Sequence, residues 1–131
     1  MGSNVDIVKG VYEAFGKGDV PAVLGVMDDK IEWRQPVSLA PTFTDQVGPQ
    51  AVAENIFGKV MTLMEDYSVN PEEFIDGGDI VVTLGRYRGK GAKTGTALDA
   101  RMAHIRRFGG DKVTSFETIT DTHLWREALG M

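Results

Sequence analysis

Cysteine is absent from the 131-residue chain. Its absence excludes disulfides, zinc sites built on thiolates and cysteine nucleophiles. Histidine is scarce as well, because the chain has only His104 and His123, which are too far apart in sequence to form a metal-binding motif. We therefore expect neither a metal ion nor a cofactor.

An excess of basic residues and a long apolar run are also lacking. The net charge of −5 argues against a nucleic-acid partner, since no basic face stands out. No apolar run is long enough to cross a bilayer and no signal peptide precedes the first helix, which favours a cytoplasmic protein without a membrane partner. The length and a hydrophobic content of 42% predict a single domain over residues 1–131, with a core at about residues 5–129.

Helical patterns occupy the first half of the chain. Asn4 and Asp19 are good N-caps, and Gly16 or Gly18 ends the first helix. A third helix begins near Pro49, where apolar residues recur at helical spacing. The predicted spans are residues 4–16, 19–27 and 49–65.

Strand patterns surround the third helix. Ile31 and Trp33 share one face of a short strand over residues 31–35, and residues 37–49 predict a loop that covers a pocket. From Tyr67 onward four strands alternate with turns, and Asn70-Pro71 indicates a bulge or an edge position. The four spans are residues 67–76, 80–89, 96–108 and 113–121, followed by a helical turn over residues 122–129. This order predicts an α+β fold with helices on one face of a bent sheet.

The last two strands form a hairpin around Gly109-Gly110-Asp111-Lys112. Alternation along the first strand places His104, Arg106 and Phe108 on one face. On the second strand Glu117 and Asp121 share a face, although a bulge would exchange its two faces. If Glu117 faces the pocket, it is the expected partner of Arg106, because an unpaired buried guanidinium is costly.

Several phrases of the sequence, in order, resemble the SnoaL-like branch of the NTF2-like superfamily. They are Y-E-A-F-G-K-G-D-V-P-A-V-L, I-E-W-R-Q-P, V-V-T-L-G-R-Y-R-G and A-H-I-R-R-F-G-G-D-K-V, together with T-D-T. The resemblance extends from about Val5 to Leu129. It implies a cone-shaped fold in which helices pack on a strongly curved mixed or antiparallel sheet that encloses an apolar pocket. It also implies a homodimer formed through the sheet.

The resemblance assigns roles to individual residues. SnoaL-like cyclases place a histidine and an aspartate on these neighbouring strands, so His104 and Asp121 carry over as catalytic residues. Asp121 is the expected acid/base, and His104 would steady its carboxylate or polarise the carbonyl. A carboxylate held in a dry pocket has a raised pKa, which suits proton exchange near neutral pH. Trp33 is expected as an apolar wall and Tyr12 as a donor to a substrate oxygen. The candidate substrate-binding residues are Trp33, Tyr12, Arg106, Glu117 and Phe108.

Each role has a structural alternative. Asp121 is also a favourable N-cap for the last helical turn, and a strand histidine is often structural.

The leading hypothesis is an isomerase or cyclase that acts by proton transfer on an apolar carbonyl compound. The alternatives are a non-catalytic protein that binds a small hydrophobic ligand, and a dimeric interaction module with a vestigial pocket. The dimer contacts would come from Ala103, Ile105, Thr114 and Phe116.

Overall fold

The first two helices form a hairpin that packs on the sheet. The computed structural model describes residues 3–131, in which α1 spans Asn4–Gly16 and α2 spans Val20–Gly25. Ser3, not Asn4, is the N-cap of α1, because the Ser3 side chain accepts from the Asp6 N–H while the Asp6 side chain accepts from the Ser3 N–H. This capping box satisfies two helix-end donors at once. Asp19 caps α2 as predicted.

The first strand starts earlier than its pattern indicated. β1 spans Met27–Arg34, so α2 ends at Gly25 and does not continue to Met27. Ile31 and Trp33 are buried, whereas the intervening Glu32 is exposed, as the alternation predicts. The segment after β1 carries a 3-10 turn at Val37–Leu39 and a short strand β2 at Gln46–Val47.

The third helical segment consists of three continuous pieces. They are α3 (Pro49–Val52), a π-helical turn (Ala53–Phe57) and α4 (Gly58–Leu63). The segment ends before the predicted residue 65, because Met64 already has extended backbone and begins the next strand. Its buried side chains are Val52, Ile56 and Val60. None of the described helices is long and apolar enough to cross a membrane.

Four long strands complete a mixed six-stranded sheet. They are β3 (Met64–Asp76), β4 (Ile80–Gly91), β5 (Ala97–Gly109) and β6 (Lys112–Thr120). The strand order is β2-β1-β6-β5-β4-β3, and all neighbours are antiparallel except β1 and β6, which are parallel. β3 lies at an edge and shifts register next to Pro71, which confirms the predicted bulge. The chain ends with α5 at Thr122–Leu129.

A bulge in the β5–β6 hairpin decides which β6 residues face inward. Phe108 pairs with Val113 but Arg107 pairs with Ser115, so Thr114 is an extra residue on β6. Because side chains alternate along a strand, the extra residue exchanges the two faces beyond it. Phe116 and Thr118 are therefore buried, while Glu117 and Ile119 point away from the core and are exposed.

The bulge overturns two predictions. Glu117 does not face the pocket and is no partner for Arg106. Phe116 does not belong to the outer face of the sheet, because its side chain is only 2% exposed. The face that carries Phe116 and Thr118 is called the inner face below, and the face that carries Glu117 and Ile119 the outer face.

Candidate functional site

A cavity lies between the helices and the inner face of the sheet. The volume that the centres of water-sized molecules can occupy in this cavity is about 80 Å³. All the space between its side chains, counted out to the open mouth, is about 870 Å³. A single water needs roughly 10–15 Å³ by the first measure, so the free space exceeds that of one ordered water several-fold. Most of the lining is apolar. Its polar side chains are Tyr12, Gln35, Tyr67, Tyr87, His104, Arg106, Thr118 and Thr120, and its indoles are Trp33 and Trp125.

His104 bridges two tyrosines in the cavity wall. Its Nδ1 is 2.6 Å from Tyr12 Oη, and its Nε2 is 2.6 Å from Tyr87 Oη. Tyr87 Oη is also 2.8 Å from Thr118 Oγ1. The three side chains that meet around His104 come from α1, β4 and β6, so residues distant in sequence form one buried network.

Arg106 extends this network at the Tyr12 end. Its Nη1 donates to Tyr12 Oη over 2.7 Å. The guanidinium carbon lies 4.9 Å from the ring centroids of both Tyr12 and Phe116, which is the geometry of a cation–π contact. No carboxylate pairs with Arg106 among residues 3–131, although its side chain is buried.

The surroundings of His104 favour its neutral form. Burial lowers the pKa of His104 well below its usual value because an imidazolium loses its hydration, and the nearby Arg106 charge lowers it further. A neutral imidazole has one donor and one acceptor nitrogen. One tyrosine hydroxyl therefore donates to His104 and the other accepts from it.

Burial also keeps Tyr67 and Tyr87 protonated. It raises the pKa of Tyr87 above the ordinary value, and the Thr118 hydrogen bond offsets only part of that increase. It raises the pKa of Tyr67 as well, with smaller contributions from the neighbouring tyrosines. Both phenols are thus neutral, and Tyr87 serves as a hydrogen-bond donor and acceptor between His104 and Thr118.

The chain of hydrogen bonds accepts two proton arrangements. In the first, Tyr12 donates to Nδ1, and Nε2 donates to Tyr87. In the second, Tyr87 donates to Nε2, Nδ1 donates to Tyr12, and the Tyr12 proton is free to bind a molecule in the cavity. Arg106 donates to Tyr12 Oη in both arrangements, since a guanidinium has no acceptor. The donor and acceptor roles along the network can therefore be exchanged while His104 stays neutral.

The predicted carboxylates lie outside the cavity. Asp121 is exposed and caps α5, where its Oδ1 accepts from the Leu124 N–H over 3.4 Å. The predicted pairing of Asp121 with His104 on adjoining strands is thus wrong in its geometry, because β6 ends at Thr120 and the carboxylate turns to the helix end. Glu117 is on the outer face, as described above. No aspartate or glutamate lines the cavity in the described part of the chain.

The other candidates occupy different positions. Tyr12, Trp33 and Arg106 line the cavity with His104. Trp33 stacks on Phe116 with ring centroids 3.7 Å apart, which forms a flat apolar wall. Phe108 is buried on the predicted face but belongs to the core and not to the lining.

Two network residues were missing from the sequence-based candidates. Tyr87 was identifiable, because it follows Val81 and Thr83 on the same face of β4 by simple alternation. Thr118 was missed because the bulge at Thr114 turns it to the inner face, and no residue pattern in the sequence indicates that bulge. No group of three or more potential metal ligands occurs among residues 3–131.

The comparison with family models gives one match. The model of the SnoaL-like domain matches residues 8–116 of the chain. A search of curated proteins gives no match.

Solved structures provide further similarity over nearly the whole chain. An NTF2-like protein of unknown function from Burkholderia pseudomallei has 26% identity and a TM-score of 0.91, with 100% of both chains covered. An NTF2-like protein from Burkholderia thailandensis has 28% identity and a TM-score of 0.92, with 98% of both chains covered. TerC, co-crystallised with polyporic acid, has 25% identity and a TM-score of 0.87, with 98% of both chains covered.

Proposed function

Because the chain belongs to the SnoaL-like domain family, we propose that its cavity binds a small, mostly apolar carbonyl compound. The family and the NTF2-like fold support a small-molecule binding protein. The cavity adds the chemical class, since its aromatic walls suit an apolar body and its polar side chains cluster around His104. Ligand sites commonly combine an apolar lining with a few polar groups that fix orientation.

One observation carries this proposal, the position of Tyr12 Oη between a cation and an imidazole. Arg106 Nη1 lies 2.7 Å from this oxygen and His104 Nδ1 lies 2.6 Å from it. A phenol that accepts a charge-assisted hydrogen bond becomes a stronger donor through its own proton. Tyr12 is therefore suited to donate to the carbonyl oxygen of a ligand.

The similar structure of TerC gives independent support. TerC was co-crystallised with polyporic acid. The shared fold and the 25% identity support the binding of a small organic molecule by this chain.

The hydrogen-bonded network favours a second candidate function, proton transfer by an isomerase or cyclase. His104 can take up a proton at one nitrogen while it releases one at the other, and the ring stays neutral throughout. In such a relay Tyr12 gives its proton to the ligand oxygen and takes the Nδ1 proton, Nε2 takes the Tyr87 proton, and Tyr87 takes the proton released by the ligand carbon. No buried imidazolium forms at any point. Donors positioned for the oxygen of an enolate would stabilise the charge that develops there.

Binding is tested with 2-acetylnaphthalene, an apolar ketone, by calorimetry. We expect Tyr12→Phe to weaken binding by about tenfold, because one hydrogen bond to the ketone is lost. Tyr67→Phe is the comparison variant, because it removes a hydroxyl of the same lining that lies outside the Arg106–Tyr12–His104 network, and it should weaken binding less than Tyr12→Phe. Absence of binding to the unmodified protein would remove the proposal.

Catalysis is tested with the same ketone in deuterated water. The protein should speed the exchange of the acetyl protons, which NMR detects, and His104→Gln should abolish the acceleration. Binding without any acceleration of exchange would reject the isomerase or cyclase and leave the binding protein.

We also propose that the outer face of the sheet pairs with a second copy of the chain. Its half-buried apolar side chains are Val82, Leu84, Ala103 and Ile105, beside the exposed Ile119. Charges of both signs surround them, which a two-fold interface needs for self-complementarity. Sedimentation should give a dimer for the natural sequence and a monomer for Ile105→Glu. A monomer in both would remove this proposal.

A further inference from the structure

Arg106 has unused binding capacity inside the cavity. Its side chain is 6% exposed, and the structure gives it a single hydrogen bond, to Tyr12 Oη. A guanidinium has five N–H donors in a planar fork that fits a carboxylate in two places. Its other N–H groups find no acceptor among residues 3–131, and the two nitrogens without a hydrogen bond, Nε and Nη2, are not sealed from the cavity and from solvent.

The cavity contains no charge that neutralises Arg106. No carboxylate belongs to the lining, and burial holds His104 neutral. The cation–π contacts with Tyr12 and Phe116 stabilise the guanidinium but supply no negative charge. The described lining therefore carries one positive charge in a protein whose net charge is −5.

The indoles of the lining add to the surplus of donors. Trp33 Nε1 and Trp125 Nε1 are buried and have no hydrogen-bond partner within the described residues. Buried donors without an acceptor are uncommon in folded proteins, because each costs desolvation free energy. The accessible donors are those of the Arg106 guanidinium, and in a cavity without a carboxylate they match a ligand with oxygen acceptors.

We propose that the ligand of this cavity is an aromatic or cyclic organic anion, such as a carboxylate or an enolate, whose charged oxygen binds the guanidinium of Arg106. The inference rests on the proposed small-molecule function and specifies its ligand class. The apolar body of the anion packs on the Trp33 and Phe116 wall, and Tyr12 donates a second hydrogen bond to the anionic group. A neutral carbonyl compound binds in the same place but more weakly.

The test compares anions and neutral ketones of the same shape. Benzoate is paired with acetophenone, and 2-naphthoate with 2-acetylnaphthalene, so that each pair differs in one charged oxygen against a methyl group. Calorimetry at neutral pH should give the anion an affinity about ten to a hundred times higher, as expected for hydrogen bonds to a charged group.

Neighbouring arginines provide matched variants. Arg106→Met should remove the preference for the anion, and Arg107→Met should retain it, because Arg107 is exposed on the other face of β5. If Arg106→Met does not fold, Arg106→Lys keeps the charge and loses the fork, and it should reduce the preference in part.

The outcomes separate the two proposals. Equal affinity for ketone and anion would overturn the anionic ligand and leave the proposed carbonyl binding intact. No binding of either compound would overturn both. An equal loss of naphthoate binding in Arg107→Met and Arg106→Met would place the contact outside the cavity and contradict the inference.

Discussion

Arginine side chains on the two faces of the sheet differ in burial and in ion pairing. On the outer face Arg86 lies 3.1 Å from Asp99 and 3.7 Å from Glu72, and Arg88 lies 3.6 Å from the same Asp99. All of these side chains reach solvent. On the inner face Arg106 is buried against aromatic rings and meets no carboxylate in the described chain.

This difference indicates where the molecule can recognise a charge. Exposed ion pairs contribute little, about 0–1 kcal/mol each, because water and salt screen them. A charge in a dry cavity interacts much more strongly with a partner, since the local dielectric constant is lower. The outer arginines are therefore satisfied surface groups, whereas Arg106 retains capacity for a ligand.

The largest expected effect tests the assignment of the faces itself. Phe116→Ala should lower the free energy of unfolding by about 3–5 kcal/mol, because it removes a buried ring from the inner face. In the monomeric Ile105→Glu background, Ile119→Ala on the same strand should change it by no more than about 0.5 kcal/mol, since Ile119 is 54% exposed in the single chain. Chemical denaturation measures both. The reverse order would mean that β6 has no bulge and that Glu117 faces the cavity.

A smaller effect is expected at Asp121, where the strand leaves the sheet. Asp121→Ala should lower the free energy of unfolding by about 1 kcal/mol through loss of the α5 cap, and Asp121→Asn should be nearly neutral, because asparagine also caps helices. Neither variant should alter ligand affinity or proton exchange. A loss of exchange in Asp121→Asn with the fold intact would restore the aspartate as an acid/base residue.

The smallest expected effect is an absence of titration at His104. Nitrogen NMR should show a ring that stays neutral as the pH falls through the ordinary histidine pKa of about 6.5, because burial lowers the pKa of His104 well below that value. The His123→Gln background leaves His104 as the source of all histidine signals. A ring that gains a proton near the ordinary pKa would mean that the cavity carries a second positive charge.

The same lowered pKa has a consequence for stability. As the pH falls through the ordinary histidine value, His104 of the unfolded chain takes up a proton while the folded chain does not. The unfolded state then binds more protons, so acidification should lower the free energy of unfolding. This loss should be smaller in His104→Gln, whose side chain does not titrate. An unchanged pH dependence in that variant would mean that the pKa of His104 is the same in the folded and unfolded chains.

The sequence predicted the inner face of β5 well and that of β6 poorly. Alternation alone places His104 and Arg106 together, since β5 is regular where it carries them. On β6 the extra Thr114 exchanges the faces, and the local sequence does not reveal a bulge that depends on pairing with Phe108. The family phrases identified the fold, because several of them agree in order. The same phrases did not indicate that Asp121 is the N-cap of α5.

Single helix ends show the same limit. Asp19 was recognised as a cap, but Ser3 was not, although Ser3 and Asp6 have the three-residue spacing of a capping box. Asn4 instead uses its side-chain amide to donate to the Gly78 carbonyl, 3.0 Å away. Local patterns thus predicted the elements, while contacts between distant residues determined the details of the site. The network of Tyr12, Tyr87 and His104 belongs to that second class.

The most direct test of an inner face specialised for anions is a crystal structure with 2-naphthoate bound. We expect the naphthalene ring in the cavity beside Trp33, with a carboxylate oxygen about 2.7–2.9 Å from a guanidinium nitrogen of Arg106. Tyr12 Oη should donate to the same carboxylate. A carboxylate bound to Arg86 or Arg88 on the outer face, with the cavity free of naphthoate, would contradict the account.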